Sequence, residues 1–235
     1  MPTIPRLFLH HPLSSGMEVP GSADQAHYLQ TVIRRDVGDD VRLFNGQDGE
    51  WDAQITALRR DRVSFTLLTR NREPSTEDDL WLVFALLKRD HTDLVVQKAT
   101  ELGASVIQPI LTSRTNAARV NEARLGSIAI EAAEQSERLT VPEVRSPLPL
   151  SDLLEHWPAD RPVFAAIERA SVAAIRPHRG ACALLVGPEG GFTPLELATL
   201  RRYPFVTPVN LGPRILRAET ACLVGLALLR GAGLG

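Results

Sequence analysis

Two glycine-bearing turns, GPEGGF at Gly187–Phe192 and LGPRILRAET at Leu211–Thr220, decide how this chain is read. Each follows a short apolar run and opens a helical pattern. Two strand-to-helix turns so close in sequence place exposed backbone side by side at one edge of a parallel sheet, which is where open α/β folds bind ligands.

Working outward, the continuous apolar run Leu80–Leu87 has the composition of a strand covered on both faces, and a helical pattern over Thr92–Leu102 stops at Gly103. Apolar runs at Val106–Leu111, Val163–Ile167, Cys182–Val186 and Val206–Val209 then alternate with helical patterns at Ala117–Leu139, Thr193–Arg202 and Ile215–Arg230. That alternation predicts an α/β fold with a parallel sheet between helices. The N-terminal part differs. Short strand patterns at Arg6–Leu9, Val41–Phe44, Trp51–Leu58 and Arg62–Leu68, with one helix over Asp24–Ile33, add up to a small β-barrel. The polar, acidic stretch NREPSTEDD at 71–79 separates the two patterns. The expected organisation is therefore a barrel domain over 1–72, a linker over 73–79 and an α/β domain over 80–235.

Composition excludes several classes. The chain is 44% hydrophobic, yet no apolar run approaches the roughly 20 residues of a membrane span. The start, MPTIPRLFLHHP, has no cleavable signal pattern, and a cytoplasmic protein is expected. The two cysteines, Cys182 and Cys222, have no ligand spacing and read as buried thiols; the scattered histidines give no metal site. A net charge of −2 argues against holding nucleic acid by bulk electrostatics. Arg59, Arg60, Arg62, Arg70 and Arg72 nevertheless crowd one stretch, just after an acidic one from Asp36 to Asp52. Neighbouring strands would neutralise these charges mutually; otherwise the arginines form an RNA-facing patch. The only two lysines, Lys88 and Lys98, fall in one short stretch.

In the first turn, Gly190 and Gly191 let backbone approach a ligand with no side chain in the way. Thr193-Pro194-Leu195-Glu196 behind it is a capping box with Pro at the first helical position, so Glu196 is assigned to the helix start. Glu189 lies inside the turn, where its carboxylate either stabilises the turn or faces a cation or proton donor. No Lys-Ser/Thr follows the glycines, so this is not a P-loop, and no GxGxxG follows Leu80–Leu87. The second turn carries Arg214, Arg217, Glu219 and Thr220; Arg217 and Glu219 form either a solvated charge pair or working groups. On the long helix Glu131, Glu134, Gln135 and Arg138 share one face, readable as a solvated stripe with a Glu134–Arg138 pair. Lys98 and Glu101 allow the same account.

Taken together, ALLKRDHTDLVVQKATELGASVIQPILTSR (Ala85–Arg114), EAAEQSER (Glu131–Arg138), LLVGPEGGFTPLEL (Leu184–Leu197) and NLGPRILRAETA (Asn210–Ala221) closely resemble the SPOUT-superfamily 16S rRNA uridine-N3 methyltransferases of the RsmE type. The N-terminal part is similar to that family's PUA-like RNA-binding domain through RLFL and the RRDVGD turn. Ser113 departs from the family pattern, where an acidic residue is more usual. The resemblance implies a deep C-terminal trefoil knot that joins the two turns into an S-adenosylmethionine site. It also implies a homodimer whose interface adjoins that site.

By the same resemblance the cofactor residues are Leu185, Val186, Gly187, Pro188, Glu189, Gly190, Gly191, Leu211, Gly212, Ile215, Leu216, Thr220 and Ala221. Arg217 would stabilise the uracil anion, with Glu189 or Glu219 taking the N3 proton. Arg34, Arg35, Lys88, Lys98, Gln135 and Arg138 are placed around RNA. The implied partner is 16S rRNA or the small ribosomal subunit, with no metal and no membrane. The alternatives are ribose 2′-O-methylation by the same superfamily and a non-catalytic ribosome-assembly factor.

Overall fold

The computed structural model describes residues 4–115, 119–167 and 172–231. Two compact units divide the chain, Met1–Thr76 with Ala133–Val141 and Glu77–Ala132 with Pro142–Gly235. This differs from the division expected at 72 and 80, because a short later segment belongs with the N-terminal strands. None of the described helices is long and apolar enough to cross a membrane.

The first unit contains β1 (Arg6–Phe8), β2 (Glu18–Gly21), α1 (Ala23–His27, continued by a π-helical turn over Tyr28–Val32), β3 (Asp40–Asn45), β4 (Gly49–Arg59) and β5 (Arg62–Arg72). The strands are ordered β1-β3-β4-β5-β2, antiparallel except for β1 with β3. Three register shifts between β4 and β5 bend the ladder, and the sheet curls into a PUA-like half-barrel. Its concave face buries Trp51, Ala53 and Ile55 against Leu43, Phe65 and Leu67, the alternate residues of neighbouring strands.

Strand β2 was not expected, since Pro20 lies within it; it is tolerated because β2 is an edge strand. Helix α1 begins earlier than Asp24, fixed by a Ser22–Gln25 capping box. Charge neutralisation between the acidic and basic stretches is partial. Arg72 meets Glu50 at 3.9 Å, whereas Asp52 is met from within the acidic stretch by Arg42 at 3.1 Å and Arg70 pairs with Glu73 at 3.0 Å. Arg59, Arg60 and Arg62, at the β4–β5 turn, are exposed and form no ion pair with any described residue.

The second unit runs β6 (Leu80–Ala85), α2 (Arg89–Glu101), β7 (Val106–Leu111), α3 (Glu122–Gln135), β8 (Glu143–Val144), β9 (Leu148–Pro149), α4 (Leu150–Glu155), β10 (Val163–Ala166), β11 (Cys182–Val186), α5 (Pro194–Leu200), β12 (Val206–Val209) and α6 (Ala218–Arg230). Its parallel sheet is ordered β12-β10-β11-β6-β7-β8, with β9 also on β7. The central strand β11 is buried throughout, as its uninterrupted apolar run predicts. Helix α6 packs on it closely: a Cβ on Gly225 would lie 2.5 Å from Leu184 Cδ2.

The acidic residues expected to close a linker are anchored instead. Arg230, in the last turn of α6, pairs with Asp78, reaches Glu77 at 3.8 Å and donates to Gly103 O. Asp79 accepts from Arg161, Trp81 Nε1 and Ser105 Oγ. The Arg161 guanidinium holds the Asp79 carboxyl below the usual range despite partial burial.

Two helix boundaries need correction. The start expected at Ala117 lies outside the described residues, and α3 ends at Gln135, short of Leu139. The chain turns sharply there, with Glu137 at φ 58°. Helix α6 begins at Ala218 and not Ile215, because Gly212 at φ 120° and Pro213 hold the preceding residues in a non-helical turn.

Residues 133–141 complete the first unit. Arg6 donates to the carbonyls of Ala133, Glu134 and Arg138, and to Glu50 Oε2 at 2.5 Å. The guanidinium thus serves carbonyls at and just past the end of α3, where a helix runs out of intrahelical donors; Ala133 O also accepts from Arg138 N at 3.1 Å. Phe44, Ala133 and Leu139 form a small apolar cluster beside them.

Candidate active site

Parallel strands release their ligand-binding loops at their C-terminal ends. Here the ends of β10, β11 and β12 open on one cleft of about 1070 Å³ in the second unit. Ala166 and Ile167 come from β10, Val186 to Phe192 from β11, and Asn210 to Glu219 from β12 and the turn after it. The two glycine-bearing turns thus line a single space.

Of the residues expected at a cofactor, Val186, Gly187, Pro188, Glu189, Gly190, Gly191, Leu211, Gly212, Ile215, Leu216 and Ala221 line the cleft. Two do not. Leu185 is fully buried in the sheet core, one residue short of the strand end where the cleft begins. Thr220 is exposed on α6, turned from the cleft by the helical repeat.

The backbone of the turns is unpaired where a ligand would need it. Glu189, Ile215 and Leu216 make no backbone hydrogen bond with any described residue. Such groups are open to an outside partner, and a flat, polar adenosine with its sugar hydroxyls supplies donors and acceptors that match them. Gly191 at φ 66° and Gly212 at φ 120° sustain backbone shapes that a side chain would strain. The residues present fit a nucleoside cofactor held mainly by main chain.

The side chains around the cleft are mixed in charge. Arg217 is the N-cap residue of α6, exposed and forming no ion pair with a described residue. Glu189 is likewise exposed in its turn. Glu219 is different: its side chain is 12% exposed and its nearest basic partner is His91 Nδ1, at 3.8 Å. The Arg217–Glu219 charge pair considered from sequence is not formed. Behind Glu219, burial drives the Cys222 thiol well above its ordinary range, with the carboxylate adding to the rise. Burial also pushes Cys182 up to about 11, so both thiols are structural.

Several cleft residues had no sequence signal, because distant segments meet only in space. Arg114, after β7, donates to Gly190 O at 2.6 Å. Ser113 N beside it donates to Glu196 Oε1. Glu196 also accepts from Thr193 N and Oγ1 in the capping box expected for α5. Asn210 stitches the β12 turn to the segment after β10, donating to Val172 O and Ala173 O and accepting from Ile175 N.

The residues expected around RNA fall in both units. Arg34 is exposed at φ 54° and Arg35 lies 4.0 Å from Asp39, both in the first unit. Lys88 is exposed at the start of α2, while Lys98 is held by Glu101 at 2.7 Å. Gln135 is exposed at the end of α3. Arg138 is corrected: it lies past the helix end, is only 7% exposed and donates to Thr140 Oγ1, so it presents no surface to RNA. Glu134 Oε1 accepts from Phe8 N.

With this geometry in place, comparison with known proteins decides the family. A family described as "RNA methyltransferase domain" matches residues 74–230, and "RNA methyltransferase PUA domain" matches residues 22–68. The Ribosomal RNA small subunit methyltransferase E of Rickettsia conorii is 35% identical, over 96% of this chain and 94% of its own. The chain belongs to the RsmE-type 16S rRNA methyltransferases. The Neisseria gonorrhoeae RsmE enzyme, solved bound to S-adenosyl methionine, is 31% identical with a TM-score of 0.84 over 95% of both chains. A Legionella pneumophila putative methyltransferase solved with the same cofactor gives 0.87 at 26% identity over 98% of both. As an RsmE-type chain it has the SPOUT-type knotted fold behind its two turns and a PUA-like N-terminal unit.

Proposed function

We propose that this protein transfers a methyl group from S-adenosylmethionine to N3 of a uracil in 16S rRNA. The observation that carries this reading is the union of both glycine-bearing turns in one cleft of unpaired main chain, in a chain related to RsmE enzymes along nearly its whole length.

Bound S-adenosylmethionine supplies an electrophilic methyl carbon. The chain's own part is positioning and charge. Main-chain groups of Glu189, Ile215 and Leu216 hold the adenosine. Uracil N3 must lose its proton to become nucleophilic, which spreads negative charge onto the flanking carbonyl oxygens. The unpaired guanidinium of Arg217 at the cleft edge stabilises that charge, and Glu189, exposed in the other turn of the same cleft, is the group that accepts the proton directly or through water.

The half-barrel contributes RNA affinity through Arg34 and the unpaired Arg59, Arg60 and Arg62, whose phosphate contacts add binding without reading sequence. The protein works as a homodimer. Leu195 on α5 is 77% exposed and Ile215 in the cleft turn is 57% exposed, apolar surface that a second copy would cover.

The test is incubation with methyl-labelled S-adenosylmethionine and small ribosomal subunits or 16S rRNA, followed by digestion to nucleosides. Label in 3-methyluridine is expected. Label in a 2′-O-methylated nucleoside, or none, overturns the reading.

A further inference from the structure

The cleft wall contains two buried polar atoms with no hydrogen-bond partner, Nδ1 of His91 and Oε2 of Glu219. They face each other at 3.8 Å. His91 is in the first turn of α2 and Glu219 in the first turn of α6, two helices that pack together. A buried acceptor and a buried ring nitrogen each lose solvation when left unpaired, and pairing with one another relieves both. His91 is the more exposed of the two, at 38%, so its ring has room for the movement of about 1 Å that makes a hydrogen bond.

The alternatives for Glu219 explain why this pairing matters. Arg217 is two residues before it in the chain and forms no ion pair with a described residue. A Glu219 carboxylate released from His91 would swing toward that guanidinium, neutralising the cation that the uracil anion requires. The other charged groups of the neighbourhood offer no substitute hold. Asp93 on α2 is occupied by Arg124 at 2.5 Å, and Arg114 is committed to Gly190 O. Asp90 and Glu189 are acidic and repel the carboxylate. Lys88 and Arg89 sit at the outer start of α2, exposed.

We propose that His91 is a positioning residue for methyl transfer: its Nδ1–H retains the Glu219 carboxylate against α2 and so keeps Arg217 available to the substrate. This assigns Glu219 to the wall of the site and not to proton removal. The inference rests on the methyltransferase reading above.

The experiment compares wild type, His91→Ala and His91→Lys for methyl transfer to small ribosomal subunits, with cofactor affinity measured by calorimetry. His91→Ala is expected to lower kcat about 10- to 100-fold, the scale of losing one preorganised charge contact, at unchanged cofactor Kd. His91→Lys, whose ammonium also holds a carboxylate, is expected to return kcat to within about threefold of wild type. Should the Ala variant unfold, His91→Leu preserves bulk without a donor and gives the same comparison. Wild-type kcat in the Ala or Leu variant, or a loss that Lys does not relieve, overturns the proposal alone. No turnover by wild type overturns the methyltransferase reading and this proposal with it.

Discussion

The Arg114 guanidinium donates from Nη1 to the carbonyl oxygen of Gly190 at 2.6 Å, strapping the loop after β7 across the first glycine-bearing turn. One residue earlier, Ser113 N is fixed on Glu196 Oε1 at 2.8 Å. The turn is therefore held from outside as well as by its own chain. Removing the strap in Arg114→Ala frees the turn to sample other shapes. A hydrogen bond from a charged group contributes about 1.5 kcal/mol at the low end suited to an exposed site, so cofactor affinity is expected to weaken about tenfold. Calorimetric titration with S-adenosylmethionine checks this; an unchanged Kd would show that the strap is ornamental.

Glu196 ties stability to acid. Burial pushes its carboxyl up, but hydrogen bonds from Ser113 and Thr193 outweigh that and hold it below the ordinary value of 4.5. A carboxyl depressed in the folded state contributes stability that is present above its unfolded value and is lost as pH falls through the folded one. Melting temperature of wild type against Glu196→Gln should differ at neutral pH and converge below about pH 4.5. A gap that is constant with pH would refute this account.

Gly225→Ala tests the packing of α6 on β11. Alanine favours an isolated helix by about 1 kcal/mol, but here its Cβ would approach fully buried Leu184 to 2.5 Å. Overpacking of this kind costs about 1–3 kcal/mol, so the clash wins. A net loss of about 1 kcal/mol lowers Tm by roughly 2–4 °C in a chain of this length, measurable by thermal melting. A rise in Tm would mean that Leu184 repacks freely.

Arg217→Ala is expected to lower methyl incorporation about 100-fold, as for loss of one donor to a developing oxyanion, with cofactor affinity retained. Measuring kcat and Kd on the same preparation separates the two effects. Near-normal turnover would remove Arg217 from the reaction.

How much was legible in the sequence depends on how local each cause is. Strands β7, β11 and β12 have the bounds read from their apolar runs: β11 is apolar and buried throughout, the one polar side chain of β7, Gln108, is buried and donates to Pro109 O and Ser146 O, and β12 is buried at its two valines. The Thr193–Glu196 cap was equally plain, being a contact between residues three apart. Strand β2 was hidden by Pro20, which only its edge position permits, and the two-residue β8 and β9 are too short to show a period. Arg138 was misplaced because nothing in EAAEQSER announces that Glu137 adopts positive φ and ends the helical face. His91 and Arg114 stand in the quoted stretch Ala85–Arg114, but their roles could not be read there. Their meaning comes from Glu219 and Gly190, more than seventy residues further along the chain.

The return of Ala133–Val141 to the first unit has a consequence for how the protein is made. Domains fold as units while the chain emerges from the ribosome, N-terminal first. This half-barrel cannot finish in that order. Arg6, already paired with Glu50, and Phe44 must wait for the rest of their partners until the end of α3 has been synthesised and supplies its carbonyls and Leu139. A stalled nascent chain ending at residue 76 should therefore expose a protease-sensitive barrel, and one extended past residue 141 by the length of the exit tunnel should protect it.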